Sequence, residues 1–344
     1  MKSIIGRHGW RGSMTVEKDP EIIGFLTAHG WGEASFFPMT SDASARRYAR
    51  LLQSGRSAVL MDARDVARTQ TEQFCKISDL LRAHGLSAPE IYARDFSSGF
   101  LLLEDFGDKV FSRLMDGDPK REDALYRNAI DMLVHLRTLV PPRSLTVASS
   151  DVLGPMIEPF FENYLVEDGK NKDRTAKLHC HLLEALRMID GQTRVVSLRD
   201  FHAENIMYLD NRIGPASVGL LDFQDAFICH AAYDLVSLLQ DARRDVSPEI
   251  EGAMIDYYLS KVEEDGESFL SCYRILGVQR NLRILGIFAR LALHQNKPSY
   301  ASLIPRVRAY IERTATAREF DAWRDELFSL LSSPAQDLER DHHV

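Results

Sequence analysis

The sequence predicts an α+β chain of two lobes: a small five-stranded antiparallel sheet with one helix, followed by a larger, mainly helical lobe. Three observations predict it. Between residues 34 and 103, short apolar runs are separated by turn-forming residues, the mark of strands. After residue 107, apolar residues recur at helical spacing almost to the end. Inside that helical run, residues 199–225 break the pattern with an Asp- and Asn-bearing loop and a short apolar hairpin. At 344 residues the chain is long enough to bury a large core and to split into two lobes.

Taken in order, residues 1–13 are poor in apolar side chains and are expected to be disordered, with Met14 as an alternative start. Residues 18–30 read as a short helix. Strands follow at 34–39, 45–52 and 57–63, with Gln53-Ser54-Gly55-Arg56 as the turn between the last two. Residues 69–84 read as a helix with Phe74, Ile77, Leu80 and Leu81 on one face and Gly85 as its cap. Strands at 89–92 and 99–103 complete the small lobe, residues 14–104. The second lobe, 105–344, carries helices at 122–140, 155–166, 173–190, 233–245, 248–264, 267–293, 303–313 and 321–331. No internal repeat or low-complexity segment is present.

Composition removes several function classes. Hydrophobic residues make up 45% and charged residues 27%, as in ordinary globular proteins. The net charge is −8 and no Lys/Arg-rich run occurs, which argues against a nucleic-acid partner. No apolar run reaches the roughly 18 residues of a membrane span, and the first eight residues lack a signal-peptide core. Together these predict the cytoplasm. Oligomeric state is not legible. Cys75, Cys180, Cys229 and Cys272 are widely separated and suggest neither a disulfide framework nor a zinc site. His179-Cys180-His181 looks like a ligand cluster, but successive helical residues point about 100° apart and chelate poorly.

The chemistry concentrates in Arg199-Asp200-Phe201-His202-Ala203-Glu204-Asn205 and Leu221-Asp222-Phe223-Gln224-Asp225. An Asp and an Asn four residues apart, then an Asp-Phe at the end of an apolar run, suit phosphoryl transfer. That reaction asks the protein for charge neutralisation and an aligned nucleophile. Asn205 and Asp222 offer the oxygen donors Mg²⁺ prefers, and Asp200 is the candidate base. The runs 206–209 and 218–221 read as a hairpin, turning through 210–215, that returns Asp222 beside Asn205.

Beyond these residues, a small sheet lobe, a hinge and a helical lobe with Asp-x-x-x-x-Asn and Asp-Phe resemble the aminoglycoside phosphotransferase family, which has a protein-kinase-like fold. Three stretches resemble its bacterial N-acetylmuramate/N-acetylglucosamine anomeric kinases: Ser41-Asp42-Ala43-Ser44-Ala45-Arg46-Arg47-Tyr48, Leu101-Leu102-Leu103-Glu104-Asp105-Phe106-Gly107-Asp108, and Leu221 to Ala226 followed by Tyr233 to Leu239. The resemblance covers roughly residues 41–245. It implies ATP-dependent phosphorylation of the anomeric hydroxyl of an amino sugar released in cell-wall recycling. By position it implies Asp200 as catalytic base, Asn205 and Asp222 as Mg²⁺ ligands, and nucleotide contacts from Ser41, Asp42, Ser44 and the backbone near Leu103 and Glu104. Asp234 would anchor the catalytic loop.

The chain departs from the family in two places. Leu198 stands where the family usually has His, two residues before the base, a loop-packing position. No Lys stands on the strand Val59-Leu60-Met61-Asp62, so another cation must meet the phosphates. Arg47, or failing that Arg46, is the candidate; the alternative is a solvated hairpin edge. Glu72 is expected to pair with Lys76 one helical turn on. His202 and Glu204 are candidate sugar contacts or, alternatively, a loop-packing group and a solvated charge, and Asp225 either assists the metal or binds a substrate hydroxyl, or caps a turn. Trp31 and Trp323 read as core or interface residues. The helix at 267–293 carries Arg274, Arg280, Arg283 and Arg290, which either border a cleft that attracts an acidic sugar or form a solvated face. The rival readings are an antibiotic kinase acting on an aminoglycoside and a nucleotide-binding regulatory protein without turnover.

Overall fold

Local sequence signals set most elements, and long-range contacts trim them. The computed structural model describes residues 19–39, 45–165, 172–335 and 338; the expectations for residues 1–13, Ser41, Asp42 and Ser44 lie outside these. The chain divides into two compact units. One contains the described residues up to Arg113 together with Asn205–Asp225, the other Leu114–Glu204 and the described residues from Ala226 onward.

The first unit opens with α1 (Pro20–Ala28), whose N-cap Asp19 accepts from the Glu21 and Ile22 N–H groups. Pro20 suits the first helical position because its missing N–H is not needed there. Next come β1 (Ser35–Met39), β2 (Arg47–Gln53), β3 (Arg56–Asp62), α2 (Arg68–Ala83), β4 (Ile91–Asp95) and β5 (Phe100–Leu103). The strands form one antiparallel sheet in the order β1-β2-β3-β5-β4. Ser54 and Gly55, both at positive φ (51° and 76°), make the tight turn between β2 and β3. Strand alternation sends Leu51, Ala58, Leu60, Phe100 and Leu102 to one face, where they bury Ile22, Phe25 and Leu26 of α1 along with Trp31.

Helix α2 buries Phe74, Ile77 and Leu81, and Gly85 (φ 78°) reverses the chain so that the Leu86 N–H reaches Leu81 O at 3.0 Å. Glu72 pairs with Arg68, one turn before it, at 2.7 Å, rather than with Lys76. Strand β4 begins two residues later than the sequence suggests, since Pro89 cannot donate to the ladder and a bulge lies between Ile91 and Ala93.

The division between units falls within α3 (Phe111–Gly117), and the second unit is mostly helical: α4 (Glu122–Leu136), α5 (Ser150–Leu153) and α6 (Lys172–Arg187). Strand β6 (Arg194–Ser197) precedes the loop that carries Asp200. The hairpin β7 (Ile206–Tyr208) and β8 (Val218–Leu220) belongs to the first unit. There the Leu220 N–H donates to Ser87 O at 2.8 Å, the Tyr208 N–H to Lys109 O at 2.8 Å, and Phe106 packs at Gly219. After it come β9 (Phe227–His230), antiparallel to β6, then α7 (Ala232–Leu239), α8 (Pro248–Leu259), α9 (Gly266–His294), α10 (Ile304–Thr314) and α11 (Arg324–Leu331). No helix among the described residues is long and apolar enough to cross a membrane.

Two helical expectations are corrected by packing in the second unit. The helix expected over 155–166 is instead a 3₁₀ turn, Pro155–Ile157, and a π turn, Phe160–Tyr164. The backbone of Pro159 and Phe160 lies against Gly286 of α9, too close for a side chain there. Helix α7 stops at Leu239 rather than running to 245. The side chain of the next residue, Gln240, is committed to a buried network with Glu251 and Asn281, at 2.9 and 2.7 Å. His179 and His181 diverge as the helical geometry requires: His179 lies edge-on to Phe161, and His181 stacks on the buried Trp323.

Candidate active site

Within the first unit, the hairpin brings Asn205 and Asp222 together. The β7–β8 register pairs Ile206 with Leu220, so the residues flanking that pair emerge side by side. The Leu221 N–H donates to Asn205 O at 3.0 Å, and Asn205 Nδ2 lies 3.5 Å from Asp222 Oδ2. Gln224 Nε2 donates to the other carboxylate oxygen of Asp222 at 2.7 Å. Asp222 sits at φ 56°, a left-handed conformation that Asp tolerates and that aims its carboxylate away from the strand. The next residue, Phe223, is fully buried and stacks on Phe74 of α2 with ring centroids 5.0 Å apart. One apolar anchor therefore fixes the polar residue before it.

Tyr48 is an electrostatic neighbour of Asp222 and, in turn, of Arg46. Burial pushes the Tyr48 hydroxyl up to about 12, eased by the Arg46 charge and reinforced by that of Asp222. Arg46 is buried, at 7% exposure. Arg47 lies on the buried Asp62 at 2.9 Å, with Asp65 at 3.5 Å. Arg50 ties β2 to the segment after β5 through Asp105 and Asp108, both at 2.8 Å. Just after β5 the Glu104 N–H is committed to Glu90 O at 2.8 Å, and the Glu104 carboxylate takes Arg212. Leu103 is buried at the end of β5. Asp225 is exposed beside Thr69, Gln70 and Gln73 at the start of α2.

Asp200 belongs to the second unit, on the loop after β6. The buried Asp234 on α7 holds that loop: its carboxylate accepts from Ser197 Oγ at 2.7 Å, Leu198 N at 2.7 Å and Arg199 N at 2.9 Å. Leu198, in the place of the family's His, is buried, and Arg199 takes φ 70°, a conformation costly for a long side chain. Asp200 has Arg280 3.8 Å away. The Ala203 N–H donates to Asp241, and Glu204 pairs with Arg243 at 3.0 Å. His202 is buried against Arg243; burial first, then the charges of Arg243 and Arg280, hold its imidazole neutral. Asp200, His202, Ser237, Asp241 and Arg280 line one cavity.

Asp234 allows a test of the loop anchor. Burial pushes its carboxyl up to about 6 against its three hydrogen bonds. That lies above the roughly 3.9 of an unfolded Asp. The group's contribution to stability is therefore full below that value and lost as pH rises through about 6. Asp234→Asn removes this titration, so denaturant unfolding from pH 4 to 7.5 should show a wild-type slope, up to about 3 kcal/mol, that the variant lacks. The variant should also turn over more slowly, because one carboxamide oxygen cannot serve three donors. Parallel stability profiles and equal turnover would show that Asp234 does not hold the loop.

Comparison with known proteins agrees with this architecture. The profile of the family described as "Phosphotransferase enzyme family" matches residues 37–270. The N-acetylmuramate/N-acetylglucosamine kinase of Caulobacter vibrioides is 33% identical, over 91% of this chain and 97% of the relative. The enzyme of the same name from Pseudomonas aeruginosa is also 33% identical, over 93% and 94%. Among solved structures, the streptomycin–ATP complex of APH(2'')-IIa superposes with a TM-score of 0.57 at 17% identity, covering 78% of this chain and 89% of the other. Choline kinase LicA from Streptococcus pneumoniae gives 0.60 at 13% identity, covering 86% and 99%. At such identities these structures establish the fold, which is protein-kinase-like, with the five-stranded antiparallel sheet and helical remainder that the sequence predicts.

Proposed function

The chain belongs to the phosphotransferase enzyme family, and from that premise we propose that it is an ATP-dependent kinase of the anomeric hydroxyl of N-acetylmuramate or N-acetylglucosamine. Such a reaction returns amino sugars from the cell wall to metabolism. The observation that carries the proposal is the 33% identity to kinases of that name over more than nine-tenths of the chain. The aminoglycoside reading has only fold-level support, at 14–17% identity in the APH(2'') structures. Membership of an enzyme family weighs against a regulatory protein without turnover.

In this mechanism Asp200 accepts the proton of the anomeric hydroxyl as its oxygen bonds to the γ-phosphorus, the bond to the bridging oxygen breaks, and ADP leaves. Asn205 and Asp222, whose side chains meet through the Asn205 amide nitrogen, would hold Mg²⁺, for which a carboxamide oxygen and a carboxylate are suitable donors. When bound, Mg²⁺ neutralises phosphate charge. Gln224 holds the Asp222 carboxylate in position. Ser41, Asp42, Ser44 and the backbone at Leu103 and Glu104 are assigned to the nucleotide. We assign the phosphate cation to Arg47 or, failing that, Arg46; in this structure Arg47 pairs with Asp62 and Asp65.

The test is incubation with Mg-ATP and a panel of amino sugars and aminoglycosides, read by mass spectrometry. The expected product is a phosphorylated amino sugar that is acid-labile and no longer reducing, as a 1-phosphate must be. Its formation should stop with EDTA and resume with added Mg²⁺. Transfer to aminoglycosides alone, or a product that still reduces, would refute the assignment.

A further inference from the structure

Three arginines line the cavity beside Asp200: Arg243, Arg280 and Arg283. Two have partners in the second unit. Arg243 pairs with Glu204 at 3.0 Å, and Arg280, only 3% exposed, donates to Ser237 Oγ at 2.7 Å and faces Asp200 at 3.8 Å. Among the described residues, Arg283 makes no direct ion pair or hydrogen bond. It lies one helical turn beyond Arg280 on α9, on the same wall of the cavity. Its charge is mostly desolvated: burial pulls its pKa down and the nearby Arg199 and Arg280 cations act in the same direction, against the opposing influence of Tyr233 and of the Asp200 carboxylate. The cavity's remaining carboxylate, Asp241, is committed to the Ala203 and Arg243 N–H groups. His202 is neutral and supplies no counter-charge.

A desolvated guanidinium with no carboxylate in direct contact is costly to keep, and an anion entering the cavity lowers that cost. A ligand carboxylate fits its planar fork in a way a hydroxyl does not. The two sugars of the proposed reaction differ in this respect. N-acetylmuramate carries a lactyl ether on C3 that ends in a carboxylate, two ring atoms from the anomeric carbon; N-acetylglucosamine carries a neutral hydroxyl there. Building on the proposed function, we infer that Arg283 is a specificity-determining residue that binds the lactyl carboxylate while Asp200 meets the anomeric hydroxyl. The enzyme then prefers the acidic amino sugar.

The experiment compares kcat/KM for N-acetylmuramate, its lactyl methyl ester and N-acetylglucosamine in the wild type, Arg283→Met and Arg283→Lys, with the KM for ATP measured alongside. The wild type should favour the acid over the ester. Arg283→Met should lose roughly 10–100-fold on the acid, as expected for a hydrogen bond to a charged group, with little change on the two neutral sugars. Arg283→Lys should recover part of the loss. Equal losses on all three sugars, no loss on the acid, or a raised KM for ATP with unchanged sugar ratios would overturn the assignment. The wild-type acid-to-ester ratio needs no variant to fold, and a ratio near one also overturns it. Wild-type activity on N-acetylglucosamine separates the two claims: with it present, a failed ratio sinks Arg283 alone; with no amino sugar phosphorylated, the proposed function fails and this inference with it.

Discussion

Asp200→Asn is expected to lower kcat by roughly 10²–10⁴-fold, the usual contribution of a general base, while KM for sugar and ATP changes only a few-fold. The substitution is nearly isosteric. It removes the proton acceptor and leaves the loop anchor intact, since Asp234 bonds the backbone before the site. The Asp200 side chain is 31% exposed, so little folding energy rests on it. The two arginines that face it in the cavity lose a neighbouring negative charge, which should cost some stability without unfolding the protein. ADP release under saturating substrates, measured together with a thermal melt, decides the matter. A variant that folds normally and turns over within a few-fold of wild type would remove Asp200 from the mechanism.

The largest expected effect on stability is at Gly286, in the middle of α9. A β-carbon there would fall far inside van der Waals contact with Pro159 C, Phe160 N and Pro159 O. All three atoms are backbone, so no rotamer change can relieve the clash. Either α9 or the Phe160–Tyr164 turn must move, and α9 is buried along most of its length. Gly286→Ala should therefore cost more than the usual ~1–3 kcal/mol of overpacking, seen as a large drop in the denaturant midpoint or as insoluble protein. Gly252 on α8 provides the control, because a β-carbon there meets nothing within 4 Å. Gly252→Ala should be neutral or stabilising by up to about 1 kcal/mol, since Ala is the better helix former. A midpoint for Gly286→Ala close to that of Gly252→Ala would show that the contact yields without cost.

The Ser54-Gly55 turn was legible because its left-handed backbone is a local preference of those residues. The hairpin that pairs Asn205 with Asp222 was legible because two short apolar runs flank a turn rich in Asp, Asn, Gly and Pro. The strands β6 and β9 were not, since each is only four residues long and its partner is about thirty residues away. Nor was the hairpin's membership of the first unit, because it depends on Ser87, Phe106 and Lys109, far from it in sequence.

The sequence by itself determined the order of elements, the α+β class and the residue types of a phosphoryl-transfer site. Those follow from backbone preferences, side-chain periodicity and donor chemistry, which act over a few residues. Tertiary structure decided which charges are spent and which remain available. Arg47 is taken up by Asp62 and Glu72 by Arg68, while Arg283 lines the cavity beside Asp200 with no direct ion pair among the described residues. A solvated arginine and a desolvated one are the same letter in a helix. Only the long-range packing that sets the local dielectric and the neighbouring charges tells them apart.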